Sequence, residues 1–349
     1  MPHSKVIITT MKNEAPYILE WVAHHLIIGF DHIVVFTNDC TDGTDELLTR
    51  LQELGYLTFR SHKPGRGGVH RSALRRARAL NVVKEAEWVY VTDADEFLNI
   101  HAGDNTVDAL IAASGGDDVD VIQIPWRIFS NNGRYVLRDS LVTEQFTDAE
   151  PSYEEGGAGR RFVKSLFRNN ETYLRFGSHN PLLRDEDDGK LIWVRPGGID
   201  ASNMQMGNHV PPPFGHDVAQ VNHYAVRSAQ SYLLKRLRGR SSHTGQMIDT
   251  SYWDRWNRGG VPDESIHRYA AAMRSQLAVF RADEALDKLH RRGFRWHKSL
   301  LKELSKEDDY KRLYHKICNS PPVACHPKDR QTRTSWNLKI QDVGPSTTA

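Results

Sequence analysis

The first hundred residues alternate short β-branched runs with amphipathic helical stretches, and this pattern limits the fold more tightly than any other feature of the chain. Lys5-Val6-Ile7-Ile8-Thr9-Thr10 reads as a buried strand. After a polar turn at Met11-Lys12-Asn13-Glu14, Pro16 suits a first helical turn, and Ile18, Trp21, Val22, His25 and Leu26 recur at helical spacing until Gly29. Ile33 to Phe36 is a second strand, Leu47, Leu48 and Leu51 stripe a second helix, and Leu57 to Arg60 is a third strand. A glycine-rich loop, 64–68, leads into a helix expected from about Val69 to Ala86, and Trp88 to Val91 is the fourth strand. Such alternation predicts an α/β domain with a mainly parallel sheet covered on both faces. Ligands of open α/β sheets sit outside the carboxyl ends of the strands. Each polar cluster here falls at such an end: 11–14, 37–44 and 92–96.

The 349 residues allow one large domain, or one domain with a helical extension. We expect the catalytic domain over 1–226, a helical region over 227–318, and a disordered or interacting tail over 319–349, where prolines and threonines replace apolar residues. The 46 basic and 44 acidic residues nearly cancel, and no nucleic-acid motif appears, so a nucleic-acid partner is not expected. Cys40, Cys318 and Cys325 form neither a metal motif nor a paired framework, which fits a reducing, cytoplasmic setting. No apolar run approaches the roughly 18 residues of a membrane span.

Asp93 and Asp95 close the fourth strand. Side chains one residue apart project to the same side of a strand, and two carboxylates together make a hard-oxygen site for Mg²⁺ or Mn²⁺. A solvated turn is the plain reading of Asp-x-Asp, but the apolar residues on either side favour carboxylates with a partner. Glu14 could serve as a helix-dipole partner as well as a ligand, and Thr41 and Asp42 could be helix caps. Arg71, after the glycine loop, either contacts a diphosphate or belongs to a solvated basic helix face. His179 and His223 each stand between a site role and a structural one. Lys235, Arg236, Arg238 and Arg240 form a basic cluster suited to a diphosphate, to an anionic acceptor, or to loose attachment on the inner face of a membrane. Trp126, Trp193, Trp253 and Trp256 are either sugar platforms or core residues.

Taken in order, Asn13-Glu14, Tyr17-Ile18-Leu19-Glu20-Trp21, Gly29-Phe30-Asp31-His32, Asn38-Asp39-Cys40-Thr41-Asp42-Gly43-Thr44 and Asp93-Ala94-Asp95-Glu96-Phe97 resemble the family-2-like glycosyltransferases of the GT-A fold. Within them, the chain is similar to the branch with a DxDEF motif, which also resembles the family-92 group. Arg161 to Ser165, Gly177-Ser178-His179, Val221 to Tyr224 and Lys235 to Gly239 continue the likeness, which covers roughly residues 4 to 270. The resemblance implies a Rossmann-like mixed sheet flanked by helices, a uridine diphosphate sugar donor, and Mn²⁺ or Mg²⁺. It places Thr10, Asn13 and Glu14 on the nucleotide in the first loop, and Asn38, Asp39 and Asp42 at the base and ribose in the second. Asp93 would face ribose or metal, with Asp95 and His223 as metal ligands. The second-loop pair is Asn38-Asp39 where ordinary family-2 members have two aspartates, and the Gln-x-x-Arg-Trp signature of processive synthases is absent.

The resulting expectation is a hexosyltransferase of polysaccharide biosynthesis. It would move a sugar to a hydroxyl of a glycan or glycolipid, with inversion implied by the resemblance. For the base that takes the acceptor proton, Asp139, Glu154 and Glu155 stand beside His179, which is preferred. A metal-dependent nucleotidyltransferase is one alternative, although no glycine follows the first strand. A non-catalytic carbohydrate-binding module is the other.

Overall fold

The computed structural model describes residues 4–63, 65, 67–157, 159–184, 191–204, 207–238, 250–320 and 323–324. Pro64, Arg66, Ala158, Gly239, Arg240, Cys325 and nearly all of the expected tail lie outside the described residues. Strands β1 (Lys5–Met11), β2 (His32–Thr37), β3 (Thr58–Ser61) and β4 (Trp88–Val91) alternate with α1 (Ile18–Ile27), α2 (Thr44–Glu53), α3 (Gly68–Ala77) and α4 (Asn81–Lys84). They form a parallel block in the order β3-β2-β1-β4. Both faces are buried, and the alternation of the strands divides them. Ile7, Ile33, Val35 and Tyr90 join one core cluster, and Val6, Ile8, Val34, Phe36, Val89 and Val91 join the other.

The chain continues through β5 (Glu96–Ile100), α5 (Val107–Ala113), β6 (Val121–Ile128), α6 (Val142–Gln145), β7 (Asp148–Ala149), β8 (Arg161–Arg168), β9 (Tyr173–Arg175) and β10 (Leu182–Leu183). Next come β11 (Trp193–Arg195), β12 (Ile199–Asp200), β13 (His209–Val210) and β14 (Ala219–His223). Strand β8 pairs antiparallel with both β4 and β6, so the sheet is mixed, and β14 is clamped between β5 and β6. This is the α/β architecture expected of the sequence. The helix expected over 69–86 is broken: Leu80 is extended (ψ 139°) and packs on the core, which separates α3 from α4.

The C-terminal region is less uniformly helical than its composition suggested. Helices α7 (Ala229–Arg238) and α8 (Thr250–Trp256) are followed by two-residue strands before α9 (Ala270–Ala282), α10 (Glu284–Leu304) and α11 (Asp308–Cys318). These helices pack onto the sheet domain. Met273, Leu277 and Phe280 of α9 enter the same cluster as Leu19 and Val22 of α1. Each such side chain contributes roughly 1.5–3 kcal/mol. Among the described residues, no helix is long and apolar enough to cross a membrane.

Candidate active site

Two clefts open at the carboxyl edge of the sheet, with the Thr92–Asp95 turn between β4 and β5 linking them. The first, of about 340 Å³, is lined by Asn13 and Glu14 after β1, Asp39 and Thr41 after β2, Asp95, and Lys235 of α7. The second, of about 400 Å³, is lined by the start of α3, the end of β9 and the 177–182 turn. Both loops of the first cleft use left-handed backbone, at Asn13 (φ 54°) and Asp39 (φ 49°). Asn and Asp tolerate this conformation better than most side chains. The Asn13 side chain then bridges the two loops: Thr41 N donates to its Oδ1 (2.8 Å), and its Nδ2 donates to Thr41 Oγ1 (3.3 Å).

Asp93 and Asp95 lie in the turn rather than on β4, and each has its own partners. Lys164, fully buried in β8, donates to Asp93 Oδ2 (2.8 Å) and lies 3.2 Å from Glu96 Oε2. Lys235 donates to Asp95 Oδ2 (2.7 Å). Burial opposes ionisation of Asp93, but the Lys164 ammonium outweighs it and holds the carboxyl at about 2. Asp95 is likewise buried, and the Lys235 ammonium holds it well below the usual carboxylate range. Burial, by contrast, pushes Glu96 up to about 8.

Each aspartate keeps its Oδ1 clear of its lysine. Asp95 Oδ1 faces His223 Nε2 at 3.8 Å, and Asp93 Oδ1 faces His70 Nε2 at 3.7 Å. Neither distance is a hydrogen bond. Burial lowers the His223 pKa to about 4, so its ring is neutral and Nε2 is free to ligate. Metal–oxygen and metal–nitrogen bonds of about 2.1 Å span such a gap. Asp95 Oδ1 and His223 Nε2 thus present two atoms of the kind that ligate divalent ions. Among the described residues, no three acidic, histidine or cysteine side chains close into a ready-made cage. Asp95 and His223 come together, whereas Asp93 turns toward His70 and Lys164.

Other expected residues fare differently. Glu14 lines the first cleft but is buried, and Arg227 donates to its Oε2 (2.9 Å). Arg227 also lies 3.7 Å over the Tyr17 ring and donates to Ala94 O, tying α1, the Asp-x-Asp turn and α7 together. Asp42, expected at the ribose, faces inward instead. Its Oδ2 accepts from Ala15 N (3.0 Å) and His297 Nε2 (2.7 Å), and its Oδ1 accepts from Thr44 N (2.9 Å). Asn38 is buried and donates to Asp39 Oδ2 (3.0 Å), so of that pair Asp39 faces the cleft. The Thr10 hydroxyl sits 3.3 Å from His70 Nε2 rather than in either cleft lining. Arg71 lines the second cleft, away from the first-cleft loops.

His179 lines the second cleft, with Nδ1 donating to Val163 O (2.9 Å), which leaves Nε2 as a lone pair. Burial lowers its pKa to about 4. Beside the second cleft stands an aromatic patch: Trp126 packs on His179 (5.6 Å between centroids), which lines that cleft, and on His223 (4.1 Å) and Trp256 (5.7 Å). Among the described residues, Trp126 Nε1, Trp256 Nε1 and His223 Nδ1 find no hydrogen-bond partner. Trp193 and Trp253 are core residues.

Lys164 emerged from the sequence only inside the Arg161 to Ser165 motif and Lys235 as part of a basic cluster, neither of them paired with a carboxylate. A single lysine inside the apolar strand Phe162 to Phe167 was a usable signal, because a cation there requires a buried carboxylate.

The fold and clefts define a mixed-sheet α/β protein with an acidic, lysine-braced turn at the carboxyl edge of its sheet. A sequence model of glycosyltransferase family 92 matches residues 8–235, and the chain belongs to that family. Family 92 proteins Os08g0121900 of Oryza sativa subsp. japonica and RCOM_0530710 of Ricinus communis are 26% and 29% identical to it over 149 and 151 residues. Each match covers 42% of this chain, and the chain spans about a quarter of the length of these relatives, 24% and 26%. Among solved structures, S. aureus TarS 1-349 in complex with UDP-GlcNAc overlaps 39% of this chain and 37% of its own, with 22% identity and a TM-score of 0.29. Glucosyl-3-phosphoglycerate synthase from Mycobacterium tuberculosis, in complex with Mg²⁺ and UDP, overlaps 36% and 44%, with 16% identity and a TM-score of 0.26.

Proposed function

We propose that the protein transfers a sugar from a uridine diphosphate sugar to an acceptor hydroxyl, with Asp93, Asp95 and His223 holding Mn²⁺ or Mg²⁺. The observation that carries this reading is the pairing of Asp95 Oδ1 with His223 Nε2 across 3.8 Å, at the end of the cleft lined by the β1 and β2 loops. Family membership supports glycosyl transfer, and the donor class is our inference from the site.

Asn13, Asp39 and Thr41 would receive the nucleoside, since they carry the polar groups that the cleft exposes. Bound there, the ion would offset charge on the departing diphosphate. Lys235 stands beside Asp95 in the same cleft and can follow that charge to an oxygen of the leaving group. The Trp126–Trp256 patch offers apolar ring faces for a sugar. His179 Nε2 would accept the acceptor proton from the second cleft.

Titration calorimetry with UDP, with and without Mn²⁺, tests the reading directly. We expect binding that strengthens with Mn²⁺ and donor hydrolysis that Asp95→Ala abolishes. Metal-independent UDP binding together with full turnover by Asp95→Ala would refute it.

A further inference from the structure

The two clefts differ in charge. The first mixes Glu14, Asp39 and Asp95 with Lys12, Arg227 and Lys235. The second is lined by His70, Arg71, Arg175 and His179, with Ser178 and Asn208 as polar neighbours, and no carboxylate lines it among the described residues. Among the described residues, neither arginine has a carboxylate partner, and Arg175 Nε is buried without any hydrogen-bond partner. The local backbone favours this arrangement. Gly67 has φ +99°, and a Cβ there would sit 3.0 Å from Arg71 Cδ, so glycine makes room for the arginine stem to lie across the loop.

We infer that the second cleft is an acceptor subsite for an anionic group, a phosphate or a carboxylate carried near the hydroxyl that receives the sugar. This inference rests on the glycosyl-transfer reading above. Guanidinium groups pair with both kinds of anion in bidentate geometry, and two arginines without a carboxylate partner among the described residues line one concave site. The location suits an acceptor. His70 Nε2 lies 3.7 Å from Asp93 Oδ1, so the cleft begins one side chain away from the carboxylate turn. His179 has its ring fixed through Nδ1 and contributes its free nitrogen to the same wall. An acceptor held by its anion at Arg71 and Arg175 would present its hydroxyl toward His179 and the donor sugar. The arginines act as binding and specificity residues, and the proton transfer stays with His179.

The test compares glucose, glucose 6-phosphate and glucuronate as titrants of the full chain, with UDP titrated separately. We expect both anionic sugars to bind at least about tenfold more tightly than glucose, a difference of about 1.4 kcal/mol. The tighter of the two identifies phosphate or carboxylate as the preferred group. Saturating UDP should leave this binding in place, and Arg71→Gln combined with Arg175→Gln should erase the preference while UDP still binds. Equal affinity for glucose and its 6-phosphate, displacement of the anionic sugar by UDP, or an unchanged preference in the double variant would each overturn the proposal. If the double variant melts early, the wild-type comparison alone decides. Failure of UDP to bind the wild-type chain would count against glycosyl transfer itself, whatever the anionic sugars do.

Discussion

His223 Nε2 and Asp95 Oδ1 face each other across 3.8 Å at the end of β14 and in the turn before β5, held in register by the antiparallel pairing of those strands. The gap exceeds a hydrogen bond and lies within the reach of two bonds of about 2.1 Å to one cation. His223→Ala should therefore weaken Mn²⁺ binding in the presence of UDP by about tenfold or more, the usual scale for a disturbed metal site. Electron paramagnetic resonance of free Mn²⁺ reads this directly. An unchanged affinity would remove His223 from the site.

Lys164 should be required for stability. It is fully buried beside Asp93 and Glu96, so Lys164→Met leaves the half-buried Asp93 carboxylate without its cation. Breaking such a pair costs about 3–5 kcal/mol. Urea unfolding should show this loss, and adding Asp93→Asn should recover part of it. A variant as stable as the parent would mean that the lysine is not compensating that charge.

The Asp42–His297 bond joins the second loop to α10, and Gly293 allows the approach, since a Cβ there would lie 2.5 Å from that of Ala15. His297→Leu should destabilise the fold by about 1.5–3 kcal/mol, the range for a hydrogen bond to a buried charged group. It should also weaken UDP binding without changing the response to Mn²⁺. Thermal melts and calorimetry separate the two effects. If UDP affinity is unchanged, α10 does not position that loop.

Stability should fall in mild acid. Burial lowers His24 to about 4 and His25 well below its usual range, so both are neutral in the folded chain. The unfolded chain binds protons first, near pH 6.5. Their contribution is therefore complete above that pH and is lost as the pH drops toward and through 4. His24 alone accounts for about 3 kcal/mol, at about 1.4 kcal/mol for each pH unit of depression. Urea unfolding between pH 7.5 and 4.5 checks the slope, and a flat profile from 7.5 to 5 would contradict it.

What the sequence disclosed depended on distance along the chain. The β1 loop, the β2 loop and the Asp-x-Asp turn are local, so strand periodicity and polar clusters revealed them, and family likeness brought in His223. The state of those residues was decided from far away. Asp42 looked like a ligand until His297, 255 residues later, was seen to occupy it. Asp93 and Asp95 looked equivalent, yet Lys164 and Lys235, 71 and 140 residues on, give them separate environments. Arg71 looked like a diphosphate contact because it follows a glycine loop at a helix start, but the turn of α3 carries it into the second cleft. Local pattern fixes where polar groups emerge from a sheet, whereas their pairing depends on tertiary contacts that no local pattern encodes.

The most direct measurement is UDP titration of the wild-type chain and of Asp95→Ala, each with and without Mn²⁺. The two carboxylates, acting with a divalent ion on a nucleotide diphosphate, predict tighter binding with Mn²⁺ in the parent and no Mn²⁺ effect in the variant. The same Mn²⁺ enhancement in both proteins, or none in the parent, would contradict the account.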